Sequence, residues 1–335
     1  MLRCLLTSSL LISGFLTAFA STAFASIDSG LLALAPADAT IVGSVDFTRA
    51  RNSEFGQYLL SKSQDGDAHF QQMIEETGFD PRRDLQDVVF ASAGPRAGSE
   101  DGRRQGSFAI LARGTFDQER IEATAKTKGA VVQVFQGVDL IVNKSSGEPT
   151  ALAFPDTGVA VLADLATLRQ IIANRGTPTV LDPALQSKIE AVGSRNDLWF
   201  ASLTGGGFLA RHIRQESGQD GEMQPLQQQA QALKGVTQSS GGIRLGAVNE
   251  ITFEAITRTP QDATSLADVV RFLASMVQMQ REKDARAGIV ASSLDGMQLE
   301  TSGNTMHVTI SMPEKSLEQL ADLRPRAAHA RPNTQ

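Results

Sequence analysis

Cysteine is nearly absent from this sequence, whose 335 residues contain one, Cys4, close to the N-terminus. A single cysteine forms no disulfide within the chain, so the fold has to be held together by its core. Zinc sites built on paired cysteines are excluded for the same reason. The four histidines are scattered without a convincing ligand arrangement, so the sequence predicts no metal and no cofactor.

Tryptophan and tyrosine are also scarce, with one of each. Sugar and peptide grooves usually rely on exposed aromatic platforms, so this scarcity argues against a groove of that type. Positive charge is in deficit, because 31 Lys and Arg face 37 Asp and Glu, for a net charge of -6. This acidity argues against nucleic acid, or an anionic membrane surface, as the partner.

The N-terminus has the pattern of a cleavable export signal. Arg3 is followed by an apolar and small-residue stretch at 5–24, and the A-x-A site Ala23-Phe24-Ala25 precedes Ser26. A basic start, an apolar middle and small residues at the cut are the three parts of a secretory signal. The sequence therefore predicts cleavage between Ala25 and Ser26, with a cut after Ala20 as the alternative, and a protein exported to the periplasm or the medium.

An uncleaved membrane anchor is the competing interpretation of this segment. Its strongly apolar part, Leu10–Phe19, is shorter than the about 20 residues that a spanning helix needs, which favours cleavage. No later apolar run approaches that length, so we expect no membrane span in the mature chain. Cleavage would remove Arg3 and no acid, and would change the net charge from -6 to -7.

Apolar periodicity and turn residues predict an α+β fold, with mostly antiparallel sheets and helices packed on them. The order of strands and helices is similar in the two halves, which indicates an internal duplication of a βαββαβ-like unit. The predicted organisation is a signal at 1–25, a linker at 26–39, a first repeat at 40–176, a helical connector at 177–194, a second repeat at 195–323 and a disordered tail at 324–335.

Within that plan, Thr115 is predicted to cap a helix and Thr259 to cap a longer one that has Pro260 at its first position. A strand is predicted at Ile289–Leu294. Gly78 stands where a helix should stop.

Three segments carry a resemblance: LLALAPADATIVGSVDF, NSEFGQYL and GFDPRRDLQDVVFA. In these the chain resembles a loose group of uncharacterised exported bacterial proteins, in which a Pro-Ala-Asp precedes the first strand and a G-x-D-P-x-x-D-L turn precedes the second. The matching residues here are Pro36-Ala37-Asp38 and Gly78–Leu85. The resemblance implies a shared fold and brings no activity and no functional residue with it.

Three carboxylates are candidates for acid–base chemistry, namely Asp46, Asp80 and Asp84. Asp46 ends an apolar strand, where an acid is often perturbed by burial. Asp80 and Asp84 stand four residues apart, a spacing that also suits a divalent cation. The competing interpretation is structural: Asp80 before Pro81 caps a turn, and the nearby arginines neutralise the acids.

Gly205, Gly206 and Gly207 lie between a strand and a predicted helix, where backbone N–H groups can hold an anion. No Lys-Ser or Lys-Thr pair follows, and G-x-G-x-x-G is incomplete, so an ordinary tight turn is the alternative.

No catalytic motif emerges from the sequence, which favours a non-enzymatic binding or scaffold protein of the cell envelope. Such a protein would use a sheet face, or the loops at 95–105 and 214–224, to contact an envelope partner. A hydrolase of unfamiliar type that uses the three carboxylates is the alternative.

Overall fold

The computed structural model describes residues 27–62, 68–94, 106–143, 149–205 and 233–323. The predicted signal with its predicted cleavage site at Ala25 and Ser26, the predicted loops at 95–105 and 214–224, and the predicted tail at 324–335 lie outside these ranges. Within them, no helix has both the length and the apolar character needed to cross a bilayer.

The strands of the described residues form one twelve-stranded sheet in which every pairing is antiparallel. The prediction of an α+β fold with antiparallel sheet is confirmed. The strands are β1 (Ile41–Asp46), β2 (Leu85–Ser92), β3 (Phe108–Gly114), β4 (Val131–Phe135), β5 (Val138–Asn143), β6 (Thr150–Asp156), β7 (Val159–Asp164), β8 (Leu198–Ser202), β9 (Val236–Arg244), β10 (Val248–Thr257), β11 (Gln298–Ser302) and β12 (Thr305–Pro313).

Helices lie between the strands and pack on both faces of the sheet. They are α1 (Ser29–Leu32), α2 (Phe47–Asn52), α3 (Glu54–Lys62), α4 (Ala68–Thr77), α5 (Pro81–Asp84), α6 (Gln118–Thr127), α7 (Leu165–Ala173), α8 (Pro183–Gly193), α9 (Pro260–Met279), α10 (Ala285–Leu294) and α11 (Glu314–Asp322). Thr259 caps α9 as predicted, with Pro260 at its first position. Gly78 ends α4 with a positive φ of 72°.

The sheet order is β11-β12-β10-β9-β8-β1-β2-β3-β7-β6-β5-β4. Outwards from the central β1–β8 pair, the order is β1, β2, β3 and then β7 on one side, and β8, β9, β10 and then β12 on the other. On each side, three consecutive strands are followed by a strand from later in the chain. The two halves, β1–β7 and β8–β12, therefore share a strand order near the centre. A common origin of the two halves stays a prediction.

One face of the sheet, which we call the α8 face, carries the main core. Because side chains alternate along a strand, the register places Val42, Val89, Leu111 and Val161 on this face together. They form one buried cluster with side chains of α1, α7 and α8, among them Leu31, Leu168 and Leu185.

The opposite face, which we call the α9 face, is covered by α9 at the end of the second half. Leu266 and Ala267 of α9 pack there on Ala255 and Met306 of β10 and β12 in a second buried cluster. Among the described residues, no helix covers the centre of this face, where Phe90 and Phe200 are partly exposed.

The structure differs from the sequence-based expectation at the N-terminal side. Residues 27–39, predicted to be part of a linker, pack on the sheet, and Leu31 is fully buried. Asp28 is held by Arg113 of β3, whose Nη2 donates to its Oδ1 at 3.0 Å. Asp28 and Arg113 are 85 residues apart, so the sequence gave no local signal of this contact.

Two local predictions were wrong. The segment Ile289–Leu294, predicted as a strand, belongs to helix α10. Asp284 caps that helix by accepting from the N–H groups of Arg286 and Ala287. The helix α6 is capped by Asp117, which accepts from the N–H of Arg120, and not by Thr115.

Candidate functional site: an apolar slot at the centre of the sheet

The open centre of the α9 face carries an unusual row of side chains across five strands. Strand register aligns Phe90, Gly43, Phe200, Gly241 and Phe253 from β2 through β1, β8 and β9 to β10. Large aromatic residues thus alternate with glycines along the row. Phe90 is 40% exposed and Phe200 is 37% exposed, so the rings face solvent although the strands are central.

The alternation produces an open slot between two rings. Neighbouring strands lie about 4.8 Å apart, so Phe90 and Phe200 stand roughly 10 Å apart with only Gly43 between them. An aliphatic row, formed by Val88, Val45, Leu198, Ile243 and Ile251, extends the floor along the strands. The whole concave surface encloses about 480 Å³, within the range of small-ligand sites.

The backbone is closely packed at both glycines, so a side chain at either position would crowd its neighbours. A Cβ on Gly43 would lie 3.1 Å from the carbonyl oxygen of Trp199 and would fill the slot floor. A Cβ on Gly241 would lie 3.0 Å from the Phe200 ring, whose centroid is 6.3 Å from that of Phe253. Gly241 therefore allows the Phe200 ring to lie over β9 towards Phe253. Gly43 leaves space on the opposite side of the Phe200 ring, towards Phe90.

The slot offers little for hydrogen bonding. Of the residues that the structure describes, those lining the slot carry no charge. Its floor is sheet backbone, and β1, β8 and β9 each pair with strands on both sides. The N–H and C=O groups beneath the slot are therefore engaged within the sheet. A ligand with polar groups buried in the slot would find few partners, so the site suits a hydrocarbon group.

A smaller concave surface of about 290 Å³ lies on the side of the sheet covered by α7. Residues 33–38 form one wall, and the α7 side contributes the polar residues Thr167, Gln170 and Asn174. Its lining is mixed, and it lacks the apolar continuity of the slot. Neither concave surface includes Asp46, Asp80 or Asp84.

Asp80 and Asp84 lie together in one turn, and each has a structural partner. Asp80 caps α5 by accepting from the N–H of Arg82, and the Arg82 guanidinium lowers the pKa of the Asp80 carboxyl. The Arg83 guanidinium likewise lowers the pKa of Asp84, whose Oδ2 accepts from the N–H of Asp80 at 2.8 Å. These contacts favour the structural interpretation of both acids.

Asp46 lies at the end of β1, where it caps α2 by accepting from the N–H of Arg49 at 2.8 Å. Its cross-strand partner in β2 is Asp87, a residue that the sequence did not single out. Partial burial, and then the charges of Asp46 and Asp28, raise the pKa of Asp87 to about 6, because Arg113 offsets them only in part.

The Asp87→Asn variant is expected to be more stable than the wild type at pH 8. The folded-state pKa of about 6 lies above the ordinary 3.8. The ionised carboxylate therefore weakens the fold, increasingly as the pH rises from about 4 to 6 and fully above that. Asparagine removes this penalty, which we put at about 1–2 kcal/mol because Asp87 is only half-buried and solvent screens its charge.

Urea unfolding of both proteins at pH 4.5 and pH 8 measures this effect. The gain should be smaller at pH 4.5, where protonation already relieves much of the penalty in the wild type. An equal gain at both pH values would contradict the assignment of the effect to the carboxylate charge.

His307 has no His, Cys or acidic residue at a ligand spacing in the sequence, but it contacts an acidic residue of the neighbouring strand. Its Nε2 lies 3.4 Å from Glu254 Oε2, and Lys188 of α8 donates to Glu254 Oε1 at 2.9 Å. Strand pairing between β10 and β12 makes this contact, so spacing along the chain gave no signal of it. Within the ranges that the structure describes, no cluster of three His, Cys, Asp or Glu residues is arranged to hold a metal ion.

The glycine turn is only partly visible. Gly205 is exposed just after β8, and an added Cβ would lie 3.0 Å from the carbonyl oxygen of Val236. Gly206 and Gly207 lie outside the described residues, so anion binding by this turn stays a prediction.

Comparisons with known proteins give a distant structural likeness. No family model matches the chain, and no curated protein matches it. Crystal forms IV and III of the protein TP0453 each align with a TM-score of 0.47, at 10% and 9% sequence identity. The alignments cover 89% of this chain, and 97% and 98% of TP0453. At these values no property is transferred, and nothing in the comparisons indicates an enzyme.

Proposed function

We propose that this protein is an exported, non-enzymatic binding protein that takes an aliphatic chain, such as the acyl chain of a lipid, in the slot between Phe90 and Phe200. The observation that carries the proposal is the Phe–Gly–Phe–Gly–Phe row. It places exposed rings and an unfilled glycine floor on central strands, where a sheet face is ordinarily covered.

The chemistry of the slot favours a hydrocarbon over an extended peptide. A peptide brings an N–H and a C=O at nearly every residue, and each one buried without a partner costs about 1–3 kcal/mol. The strands under the slot have their own backbone groups paired within the sheet, so they cannot supply those partners. An acyl chain has no such requirement along its length, and its polar head can remain in water at the rim.

Export is part of this proposal and is supported by the sequence alone. A mature N-terminus at Ser26, found by mass spectrometry of the protein recovered from the producing cell, would support it. An intact Met1 would instead indicate that the signal stays attached.

The binding proposal is tested with a fluorescent fatty acid, cis-parinaric acid, and with palmitate as competitor. The wild type should show saturable fluorescence enhancement that palmitate reverses. The Phe200→Ser variant should bind at least about tenfold more weakly, because burying a phenylalanine side chain against a ligand is worth about 1.5–3 kcal/mol.

Leu162→Ser is the matched control. Leu162 is 38% exposed, close to the value for Phe200, and it lies on the same face in β7, away from the slot. Its replacement should change the affinity less than about twofold. Equal losses in the two variants would mean non-specific adsorption to the face, and absence of saturable binding in the wild type would overturn the proposal.

A further inference from the structure

The outer strand of the first half, β4, leaves one of its edges open. It pairs with β5 on one side and is the last strand of the sheet in the described part of the chain. A two-residue turn, Gln136-Gly137, joins it to β5, with positive φ at both positions, 48° and 77°. This is the tight hairpin turn whose twist matches the strands, so the position of β4 is well determined.

The turn decides which backbone groups point outwards. A two-residue hairpin closes on a hydrogen-bonded pair, here Phe135 and Val138. Hydrogen-bonded and non-bonded pairs alternate along an antiparallel ladder, so Gln133 and Val131 also direct their N–H and C=O groups to β5. The N–H and C=O groups of Val132 and Val134 therefore face the open edge.

The open edge lacks the features that usually protect one. Edge strands commonly carry charged residues, proline or a bulge, which discourage pairing with another chain. The sequence of β4, VVQVF, contains none of these, and Val134 is 73% exposed. The opposite edge of the sheet, β11, has the polar sequence QLETS with the exposed Glu300.

The strand is also complementary to itself. In an antiparallel pair centred on Gln133, Val132 of one chain faces Val134 of the other, and Val131 faces Phe135. Both valine pairs fall on hydrogen-bonded positions, so four backbone hydrogen bonds form. β4 itself has no charged side chain; the Arg169 guanidinium of α7 donates to Gln133 Oε1 at 2.9 Å and is exposed to solvent, which screens its charge.

We propose that β4 pairs with β4 of a second copy of this chain, about a twofold axis at Gln133. The contact is isologous, so it closes as a dimer instead of extending into a fibre. A five-residue strand pair is a small interface, so the dimer is expected to be weak and to form in a concentration-dependent way. The inference depends only on β4 and is independent of ligand binding in the slot.

A disulfide test follows from the register. In a Cys4→Ser background an introduced thiol is the only one in the chain. Gln133→Cys places two thiols opposite each other at a non-hydrogen-bonded pair, where the Cα atoms lie about 4.5 Å apart, within disulfide reach. Oxidation in a glutathione buffer should then give a covalent dimer on a non-reducing gel.

Val134→Cys is the matched control. Its side chain is more exposed than that of Gln133, so random collision would cross-link it at least as well. In the proposed register each Val134 faces Val132, and the two Val134 residues lie roughly 8 Å apart, beyond disulfide reach. We expect at least about tenfold more dimer from Gln133→Cys, and equal yields would overturn the proposal.

Analytical ultracentrifugation of the chain without introduced cysteines gives the second measurement. A monomer–dimer equilibrium should appear towards about 200 µM, as expected for a small interface. Val134→Lys should abolish it, whereas Ser302→Lys on the opposite edge should leave it unchanged. A monomer at every concentration, or a dimer lost only with Ser302→Lys, would overturn the proposal.

Discussion

Replacing Leu111 by alanine is expected to lower the free energy of unfolding by about 3–4 kcal/mol, within the range measured for buried leucines. Leu111 lies in the middle of β3 and is fully buried on the α8 face. Its cross-strand partners Val89 and Val161 are equally buried, and they are fixed by strands on either side. They cannot move into the space that the missing methyl groups leave, so most of the cavity should remain.

Leu162→Ala is the control for this variant, because it deletes the same side-chain atoms. Leu162 follows Val161, the cross-strand partner of Leu111, in β7. Leu162 points to the α9 face and is 38% exposed, so its truncation should cost less than about 1 kcal/mol. Urea unfolding followed by tryptophan fluorescence of Trp199 measures both variants. Similar costs would mean that the α8 face is not the main core.

Replacing Gly242 by valine is expected to cost at least about 3 kcal/mol, because it combines overpacking with the loss of a buried hydrogen bond. A Cβ at Gly242 would lie 2.4 Å from Cγ of Asn196 and 2.6 Å from its Nδ2. Asn196 is buried and donates from Nδ2 to the carbonyl oxygen of Val192 at 2.8 Å, at the end of α8. Valine would displace the Asn196 side chain from the carbonyl oxygen of Val192 and increase the distance between α8 and β9.

The control for Gly242→Val is Gly296→Val, where an added Cβ meets nothing within 4 Å. That substitution should change the free energy of unfolding by less than about 0.5 kcal/mol. If both variants lost the same stability, a general cost of valine for glycine would explain the result, and the close approach of Asn196 would not.

The sequence predicted the class of fold because its signals are local. The alternation of IVGSVDF predicted β1, and Thr259 followed by Pro260 predicted the start of α9. Prediction failed where a tertiary contact decided the outcome. Residues 27–39 were predicted as part of a linker, yet Asp28 is bound by Arg113, 85 residues away in sequence. Ile289 and Val290 read as a strand, although the cap at Asp284 directs them into a helix.

The candidate site was harder to predict for the same reason. Gly43 and Gly241 each look like an ordinary strand glycine, and Phe90 and Phe200 each look like a core residue. Only the register of five strands shows that they form one row, and register is not encoded by any single segment. In contrast, the capping and pairing roles of Asp80 and Asp84 were predictable, because their partners lie within a few residues.

The pairing of β1 with β8 at the centre of the sheet has a consequence for how the chain reaches this structure. Val42 is opposite Ala201, so the strand nearest the N-terminus completes its second ladder only after nearly half of the chain has passed. Closing so long a loop is entropically costly, and folds dominated by such distant pairings form slowly. The β1–β8 ladder joins the two halves into one continuous sheet, and we expect it to form later in folding than the β1–β2 ladder, which closes a shorter loop.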